Sequence, residues 1–251
     1  MKYAIIAGTG FEKVQELNES HIVKTPYGKV KVYLGRIKET EYFYIPRHGE
    51  NHTIAPHKIN YRANAYALKE LDVDITFSLC AVGSVKEELP PGSLVLIKDI
   101  IDRTKLREST FYDGEKLPLK HLDVSNIYCK NLREKLKTSF QTCTSLNLKE
   151  GVYVCTEGPR FETAAEIKEF ALIGGDVVGM TNAPEIFLFA EMGFYSATIA
   201  YVTNYCTGIT NEKVEMIDTY RVMDRDIKKS IENTILSLEN LDELGERSIF
   251  I

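Results

Sequence analysis

The sequence has no cysteine pattern that indicates a disulfide framework or a structural zinc site. Its five cysteines are an odd number, and none of them forms a C-x-x-C pair or has paired histidines nearby. A secreted disulfide scaffold would usually have an even number, and a zinc site would show one of these spacings. We therefore expect no bound metal and a reducing, cytoplasmic compartment.

Long apolar runs and an excess of positive charge are also missing. The first apolar run ends at Gly8-Thr9-Gly10, too early for the apolar region of a signal peptide, and no other run approaches membrane-spanning length. The formal net charge is −5, whereas a general nucleic-acid binder usually has a basic surface. We expect a soluble protein that binds neither membranes nor nucleic acid.

The length and the hydrophobic content predict a large core. The chain has 251 residues, of which 44% are hydrophobic, and α/β proteins of this size often form one domain. We found no internal repeat, low-complexity tract or interdomain linker. The predicted organisation is one α/β domain over residues 1–251, with a mixed central sheet flanked by helices.

Three short strands are predicted between Gly151 and Tyr205, and each leads into a polar loop. Apolar, β-branched runs bounded by turn residues predict them at 152–155, 176–180 and 195–202. Helices are predicted between them, with Thr181 or Asn182 as a cap and Pro184 in the first helical turn. Strand ends that carry polar side chains mark the edge of an α/β sheet where ligands usually bind.

Two earlier strand ends carry residues suited to an anion. The predicted first strand, 3–7, runs into Gly8-Thr9-Gly10, where the backbone can approach an anion closely. A tight turn is the simpler interpretation, and the dinucleotide fingerprint would need a third glycine. Predicted strands at 30–34 and 41–45 form a hairpin or meander, and Arg47 and His48 follow the second strand. Their side-chain donors suit phosphate, although an Arg-His pair is often only solvated surface.

The remaining elements are predicted from apolar periodicity and turn residues. A strand at 75–79 is expected to end in a turn of small residues, Cys80 to Ser84, in which Cys80 is better explained as a small buried hydrophobe than as a nucleophile. Residues 104–125 are predicted as an irregular loop over the sheet edge. The other predicted elements are a strand at 94–101 and helices at 58–71, 126–138 and 212–238.

Ordered blocks over nearly the whole chain carry a resemblance to a known family. They are Gly8-Thr9-Gly10, Pro46-Arg47-His48-Gly49, 52–56, Asn60-Tyr61, 81–84, 101–104, 111–114, 157–161, Met180-Thr181 and Pro184-Glu185. Together they resemble the trimeric nucleoside phosphorylases, in particular the methylthioadenosine phosphorylase branch. The resemblance implies purine nucleoside phosphorolysis in purine salvage, a homotrimer or a dimer of trimers, and inorganic phosphate as co-substrate without a metal or organic cofactor.

The resemblance also implies site residues. The phosphate-binding set that it implies is Thr9, Arg47, His48, Cys80, Ala81 and Thr181. Met180 would lie against the ribose. Cys80 stands at a phosphate-binding position where the family commonly has a residue with a side-chain hydroxyl. The backbone N–H of Cys80 can still donate to phosphate, but its thiol replaces the hydroxyl.

The base site departs from the methylthioadenosine branch. That branch has an Asp-x-Asp pair where this chain has Asn204-Tyr205-Cys206, and it lacks the glutamate found here as Glu162. In both places the chain is similar to the 6-oxopurine nucleoside phosphorylases, which use a Glu and an Asn to bind the base. We therefore assign Glu162, Asn204 and Cys206 to substrate binding, with Asn204 and His48 as the catalytic residues.

The 5′ substituent of the nucleoside is predicted from residues near the last helix. The 6-oxopurine enzymes are expected to present a histidine there, but all five histidines of this chain lie in its first half. Val214, Met216 and Ile217 offer an apolar lining instead, which favours a methylthio group over a hydroxyl, although core packing explains them almost as well. We expect cleavage of 5′-methylthioinosine as well as inosine and guanosine. A 5′-methylthioadenosine phosphorylase, a Rossmann-type NAD oxidoreductase and a non-catalytic nucleoside-binding protein remain the alternatives.

Overall fold

The computed structural model describes residues 1–8, 17, 19–37, 40–144, 148–211, 214–215 and 220–251. Three of the residues predicted to line the site, Thr9, Met216 and Ile217, lie outside these ranges. The strands are β1 (Tyr3–Ala7), β2 (Glu19–Thr25), β3 (Gly28–Ile37), β4 (Thr40–Pro46), β5 (Ile75–Ser84), β6 (Leu94–Arg103), β7 (Leu148–Thr156), β8 (Val177–Gly179) and β9 (Tyr195–Tyr205). The α-helices are α1 (Tyr61–Glu70), α2 (Lys130–Cys143), α3 (Ala164–Leu172), α4 (Asn182–Glu191) and α5 (Tyr220–Leu236).

One mixed sheet joins the nine strands of the described residues, in the order β2-β3-β4-β1-β5-β8-β7-β6-β9. Strand β9 pairs with both β6 and β5, so that the last five strands close into a ring. Strands β4, β1, β5 and β9 run parallel, whereas β8 runs antiparallel to β5. The carboxyl ends of the parallel strands therefore meet on one side of the molecule.

Helices cover both faces of the sheet, and alternating side chains of the strands explain why. In β1, Ile5 belongs to the core beneath α2 and α5, and Ile6 belongs to the core beneath α1 and α4. Successive side chains of a strand point to opposite faces, so a central strand buried on both faces reads as a continuous apolar run. The predicted fold class, a mixed sheet flanked by helices, is confirmed, and the domain boundary of 1–251 stays a prediction.

Local caps fix two helix starts near the loops of interest. The side chain of Asn60 accepts a hydrogen bond from the Ala63 amide at 3.0 Å at the start of α1. Thr163 and Glu166 form a reciprocal capping box at the start of α3, which satisfies two backbone donors that the helix leaves unpaired. In the described part of the chain, no helix is long and apolar enough to cross a membrane.

Several sequence predictions of local structure were wrong. Strand β2 was not predicted, and the strand predicted at 30–34 is longer than expected, since β3 spans Gly28–Ile37. The turn predicted from Cys80 to Ser84 is the second half of β5, which continues because it pairs with β9 along its whole length. Val214 and Glu215 are not helical, so the described part of the last helix begins later than predicted, at Tyr220.

Candidate active site

A cavity of about 420 Å³ opens where the carboxyl ends of the parallel strands meet. This volume is within the range of pockets that hold small molecules. Most predicted site residues within the described ranges line it. They are Arg47, His48, Ala81, Glu162, Met180, Thr181, Asn204 and Cys206.

Arg47 is a buried residue of the cavity wall, and most of its hydrogen-bond donors bind other groups of the protein. Its Nε and Nη2 donate to the two carboxylate oxygens of Glu185 at 2.9 and 2.7 Å, and its Nη1 and Nη2 donate to the carbonyls of Leu79 and Ile6. Burial opposes the charged guanidinium, but the Glu185 carboxylate raises the pKa of Arg47 above its ordinary value. Four of the five N–H groups of an arginine are thereby used, which leaves one on Nη1 for a ligand. The guanidinium therefore offers one N–H to a ligand, because its paired donors Nε and Nη2 bind Glu185.

His48 presents a fixed tautomer to the cavity. Its Nδ1 lies 2.8 Å from the carbonyl oxygen of Ile54, and a carbonyl can only accept, so Nδ1 carries the hydrogen. Burial, together with the neighbouring charges of Arg47 and His52, lowers the pKa of His48 to about 4, although the hydrogen bond to Ile54 opposes this change. The ring is therefore neutral at neutral pH, with Nε2 as a hydrogen-bond acceptor. A Cβ at Gly8 would come within 3.1 Å of this nitrogen, so a side chain there would crowd the ring.

Thr181 and Ala81 form the next part of the same wall, with Cys80 behind them. Cys80 is 1% exposed, and its Sγ accepts a hydrogen bond from the Thr181 hydroxyl at 3.6 Å. Burial raises the pKa of the Cys80 thiol, which keeps it protonated and unreactive. Thr181 occupies the N-cap position of α4 without a capping bond from its side chain. Ala183 is non-helical, so Pro184 does not stand in a regular first turn as predicted.

Glu162 and Asn204 lie on the side of the cavity assigned to the base. One oxygen of the Glu162 carboxylate accepts from the Thr156 hydroxyl at 2.6 Å. The Asn204 amide accepts from the Thr203 hydroxyl at 2.7 Å and donates to the Tyr205 carbonyl at 2.9 Å. Each side chain is less than a tenth exposed and is held in one orientation by these bonds. One amide N–H and a second carboxylate oxygen remain to meet a ligand.

Cys206, Met180 and Val214 supply less polar surface between these two sides. Cys206 and Glu162 both line the cavity. Burial raises the pKa of the Cys206 thiol, and the negative charge of Glu162 acts in the same direction. Met180 packs against Gly158, where an added Cβ would lie 2.6 Å from the Met180 sulfur. Val214 also lines the cavity. The apolar lining predicted from the sequence is thus observed at Val214, and Met216 lies outside the described residues.

The residues that hold these groups in place were not predicted from the sequence. Glu185 is 2% exposed and bonds both Arg47 and Ser78, whose hydroxyl donates to it at 2.7 Å. Arg107, from the segment after β6, has a buried side chain that bonds backbone carbonyls on both sides of the cavity. Periodicity gives no signal for such residues, because their partners are distant in sequence.

Comparisons with known proteins agree with this geometry. The sequence matches the phosphorylase superfamily over residues 2–235. It is 43% identical over 239 residues to the 6-oxopurine nucleoside phosphorylase of Pyrococcus furiosus, covering 92% of this chain and 90% of that protein. It is 42% identical over 234 residues to a protein of Methanocaldococcus jannaschii named as a probable S-methyl-5′-thioinosine phosphorylase, covering 92% of this chain and 90% of that protein.

A solved structure supports the same relationship. The methylthioadenosine phosphorylase of Schistosoma mansoni in complex with tubercidin superimposes with a TM-score of 0.88 at 29% sequence identity, covering 97% of this chain and 95% of that one. The family match spans nearly the whole described fold and includes the strands that build the cavity. The chain therefore belongs to the phosphorylase superfamily.

Proposed function

We propose that this protein catalyses the phosphorolysis of 6-oxopurine nucleosides to the free base and ribose 1-phosphate. The observation that carries the proposal is that one cavity combines an acceptor-only carboxylate, Glu162, with a set of anion donors that includes Arg47 and Thr181. Relatives named as 6-oxopurine and methylthioinosine phosphorylases share 42–43% of their aligned residues with the chain. Both observations favour a purine nucleoside phosphorylase over the oxidoreductase and the non-catalytic binder.

The reaction needs an anion below the sugar and a polar group at the base. A phosphate oxygen forms a bond to C1′ while the bond from C1′ to N9 breaks, and the electron pair of that bond moves into the purine. The purine then takes up the proton that phosphate loses, so the atoms balance without a redox partner. We propose that positioning and electrostatics supply the catalysis. Inorganic phosphate is the co-substrate, and the proposal requires neither a metal nor an organic cofactor.

On the phosphate side, His48 and Arg47 have different tasks. The remaining Nη1 hydrogen of Arg47 donates to a phosphate oxygen. The Thr181 hydroxyl donates to another, its single hydrogen turning from Cys80 Sγ to the anion. His48 Nε2 accepts from the hydroxyl of monohydrogen phosphate, because the hydrogen of this imidazole is held on Nδ1 by Ile54. Ala81 and Cys80 contribute through the backbone of β5, and Thr9 remains a predicted donor outside the described residues.

On the base side, the carboxylate of Glu162 accepts from N1–H of hypoxanthine or guanine. Adenine has an unprotonated N1, which would leave a buried carboxylate facing a lone pair. The remaining N–H of Asn204 donates to the base where negative charge develops as the glycosidic bond breaks. We therefore propose Glu162 as the residue that selects 6-oxopurines and Asn204 as the catalytic group at the base.

The 5′ group is proposed to be a methylthio group or a hydroxyl. Val214 in the cavity lining favours a thioether, since burying an unpaired hydroxyl costs on the order of 1–3 kcal/mol. Comparing kcat/KM for 5′-methylthioinosine and inosine tests this. A ratio well below one would show that the enzyme prefers the free hydroxyl.

The assembly is proposed to be a homotrimer or a dimer of trimers. The segment from 104 to 125 supports this, because Leu106 and Leu119 are 89% and 64% exposed within it and a second copy would cover such apolar side chains. Light scattering on the purified protein decides it, and a fully active monomer at micromolar concentration would contradict it. A place in purine salvage and a cytoplasmic location stay predictions.

The decisive experiment measures the release of free base from inosine with and without phosphate. We expect phosphate-dependent release of hypoxanthine, with much slower cleavage of adenosine and 5′-methylthioadenosine. Glu162→Gln should reduce the preference for inosine over adenosine, whereas the exposed control Glu169→Gln should not. Equal cleavage of the adenine nucleosides would favour the methylthioadenosine phosphorylase alternative. Binding without turnover, or a requirement for NAD, would refute the proposal.

A further inference from the structure

Arg107 is a buried arginine that belongs to none of the predicted binding groups. It lies in the irregular segment after β6, yet its side chain is 2% exposed. An arginine is seldom buried to this extent unless its charge and donors are satisfied. Its partners therefore indicate what the residue holds in place.

The guanidinium of Arg107 bonds both loops that form opposite parts of the cavity wall. Its Nη2 donates to the carbonyls of Thr156 and Glu157 at 3.1 and 2.7 Å, where β7 ends. Its Nη1 lies 2.8 Å from the carbonyl of Met180, which follows β8, and 2.6 Å from the carbonyl of Ala183, at the start of α4. One rigid planar group thus fixes the spacing of two separate backbone segments.

A carboxylate completes the arrangement from the opposite direction. Glu157 Oε1 accepts from Arg107 Nε at 3.2 Å, and its Oε2 accepts from the amides of Lys105 and Leu106 at 2.6 and 3.3 Å. Burial would raise the pKa of Glu157, but these donors hold it below its ordinary value, so the group is charged at neutral pH. Arg107 therefore bonds the backbone that carries Glu157, and Glu157 bonds the backbone that directly precedes Arg107. Arg107 also contacts α1, since its Nη1 lies 3.1 Å from the Tyr61 hydroxyl.

The segments that Arg107 joins continue directly into the ligand-facing residues. The loop after Glu157 carries Pro159, Phe161 and Glu162 along the cavity, and Met180 and Thr181 stand beside the other two carbonyls. A shift of either segment would change the distance from the Glu162 carboxylate to Met180. Geometry at this scale matters, since a misplacement of about 1 Å can cost about 10²-fold in rate.

We propose that Arg107 is a positioning residue for base selection, which sets the distance between the Glu162 loop and the Met180 segment. The proposal rests on the proposed function, because it assigns Arg107 to the accuracy of that same site. Arg107 touches no reacting atom in this assignment. Its effect passes through the carbonyls of the two loops.

A purely structural role would make a different prediction. Loss of general stability lowers the amount of active enzyme and reduces the cleavage of all nucleosides in the same proportion. Loss of positioning weakens the contact that distinguishes N1–H from an unprotonated N1, so the preference for inosine over adenosine falls. The ratio of the two kcat/KM values is independent of the active enzyme concentration, and it separates the two roles.

The experiment compares Arg107→Lys and Arg107→Ala with a matched control, Arg103→Ala. Lysine keeps the charge but has no planar fork with which to bridge four carbonyls. Arg103 precedes the same segment and is 44% exposed, with an ion pair to Glu169 at 3.0 Å. We expect the inosine preference of Arg107→Lys to fall at least about tenfold, with the control within about twofold of the wild type. Guanidinium ion, added to Arg107→Ala well below denaturing concentrations, should restore part of the preference.

The outcomes separate this inference from the proposed function. If the wild-type protein does not cleave inosine with phosphate, the proposed function fails. If the wild type is active and selective, and folded Arg107→Lys keeps the wild-type preference, the positioning role is refuted and the function stands. If Arg107→Ala does not fold, Arg107→Lys alone decides the question, and equal losses with inosine and adenosine also count against the proposal.

Discussion

The buried pair of Arg47 and Glu185 should dominate the stability of the cavity wall. The two side chains are 1% and 2% exposed and share two hydrogen bonds, and Glu185 also accepts from Ser78. Glu185→Gln removes the negative charge and leaves the guanidinium buried without a counter-ion. Breaking a buried pair in this way costs about 3–5 kcal/mol, whereas removing both charges costs much less.

A double-mutant cycle of Glu185→Gln, Arg47→Met and the double variant measures the interaction free energy between Arg47 and Glu185. We expect each single variant to lose about 3–5 kcal/mol of unfolding free energy and the double variant to lose clearly less than their sum. Urea unfolding at neutral pH without phosphate gives these values. The protein concentration must be held constant, because subunit association and ligands shift the apparent stability.

An exposed pair provides the control for the cycle. Lys31 and Glu50 make an ion pair at 2.6 Å, but their side chains are 46% and 44% exposed. The corresponding variants, Lys31→Met and Glu50→Gln, should give a coupling energy of at most about 1 kcal/mol. Additive losses for Arg47 and Glu185, or a loss below about 1 kcal/mol for Glu185→Gln, would refute the reasoning from burial.

Three further predictions concern single residues of the cavity. Gly83→Ala should raise the KM for nucleoside with little change in the KM for phosphate, because the new Cβ would lie 2.6 Å from Cys206 Sγ and 3.1 Å from Asn204 Nδ2. Steady-state kinetics with each substrate varied in turn measures both constants, and a raised KM for phosphate would contradict the prediction. The pKa of His48 falls from 6.5 to about 4 in the folded protein, so the unfolded chain binds more protons between these values. The free energy of unfolding should therefore decrease by up to about 3 kcal/mol as the pH falls from 6.5 to 4. Urea unfolding at several pH values measures this, and the free energy of unfolding of His48→Asn should depend less on pH than that of the wild type. The same pH dependence in both proteins would count against a neutral buried ring. Thr181→Val should raise the KM for phosphate with little loss of melting temperature, because the hydroxyl makes no helix-capping bond; a large loss of stability with unchanged phosphate kinetics would favour a structural role.

The sequence predicted most of the central strands because their local pattern is strong. Strands β1, β7 and β9 are runs of apolar and β-branched residues bounded by polar turn residues, and such runs identify buried strands. Strand β2 was missed because Glu19–Thr25 contains only two apolar residues, Ile22 and Val23, which are adjacent and give no alternating pattern. The second half of β5 was missed because its small residues suggest a turn, and only the pairing with β9 makes them a strand.

The candidate site was predicted as a set of residues but not as a geometry. Polar residues at strand ends indicated the edge of the sheet where a ligand would bind, and Arg47 lies at that edge. The resemblance to the 6-oxopurine nucleoside phosphorylases then singled out Glu162 and Asn204. Their supporting partners were not predicted. Glu185 follows Arg47 by 138 positions, and Arg107 lies in a segment without regular structure. Contacts at this separation depend on the tertiary fold, which periodicity does not specify.

The hydrogen bonds that Arg47 makes within the protein limit how this site can bind an anion. It is the only Arg or Lys among the described residues that line the cavity, and its charge is already offset by Glu185. His48 is neutral, so the described wall offers a bound phosphate little net positive charge. A dianion is then held mainly by the remaining Nη1 hydrogen, whose direction is fixed, and by the Thr181 hydroxyl, whose single hydrogen turns from Cys80 Sγ to the anion. Such preorganised dipoles stabilise charge in a site that excludes water without requiring a net opposite charge. Glu185 therefore acts on phosphate indirectly, because it fixes which single N–H of Arg47 faces the anion.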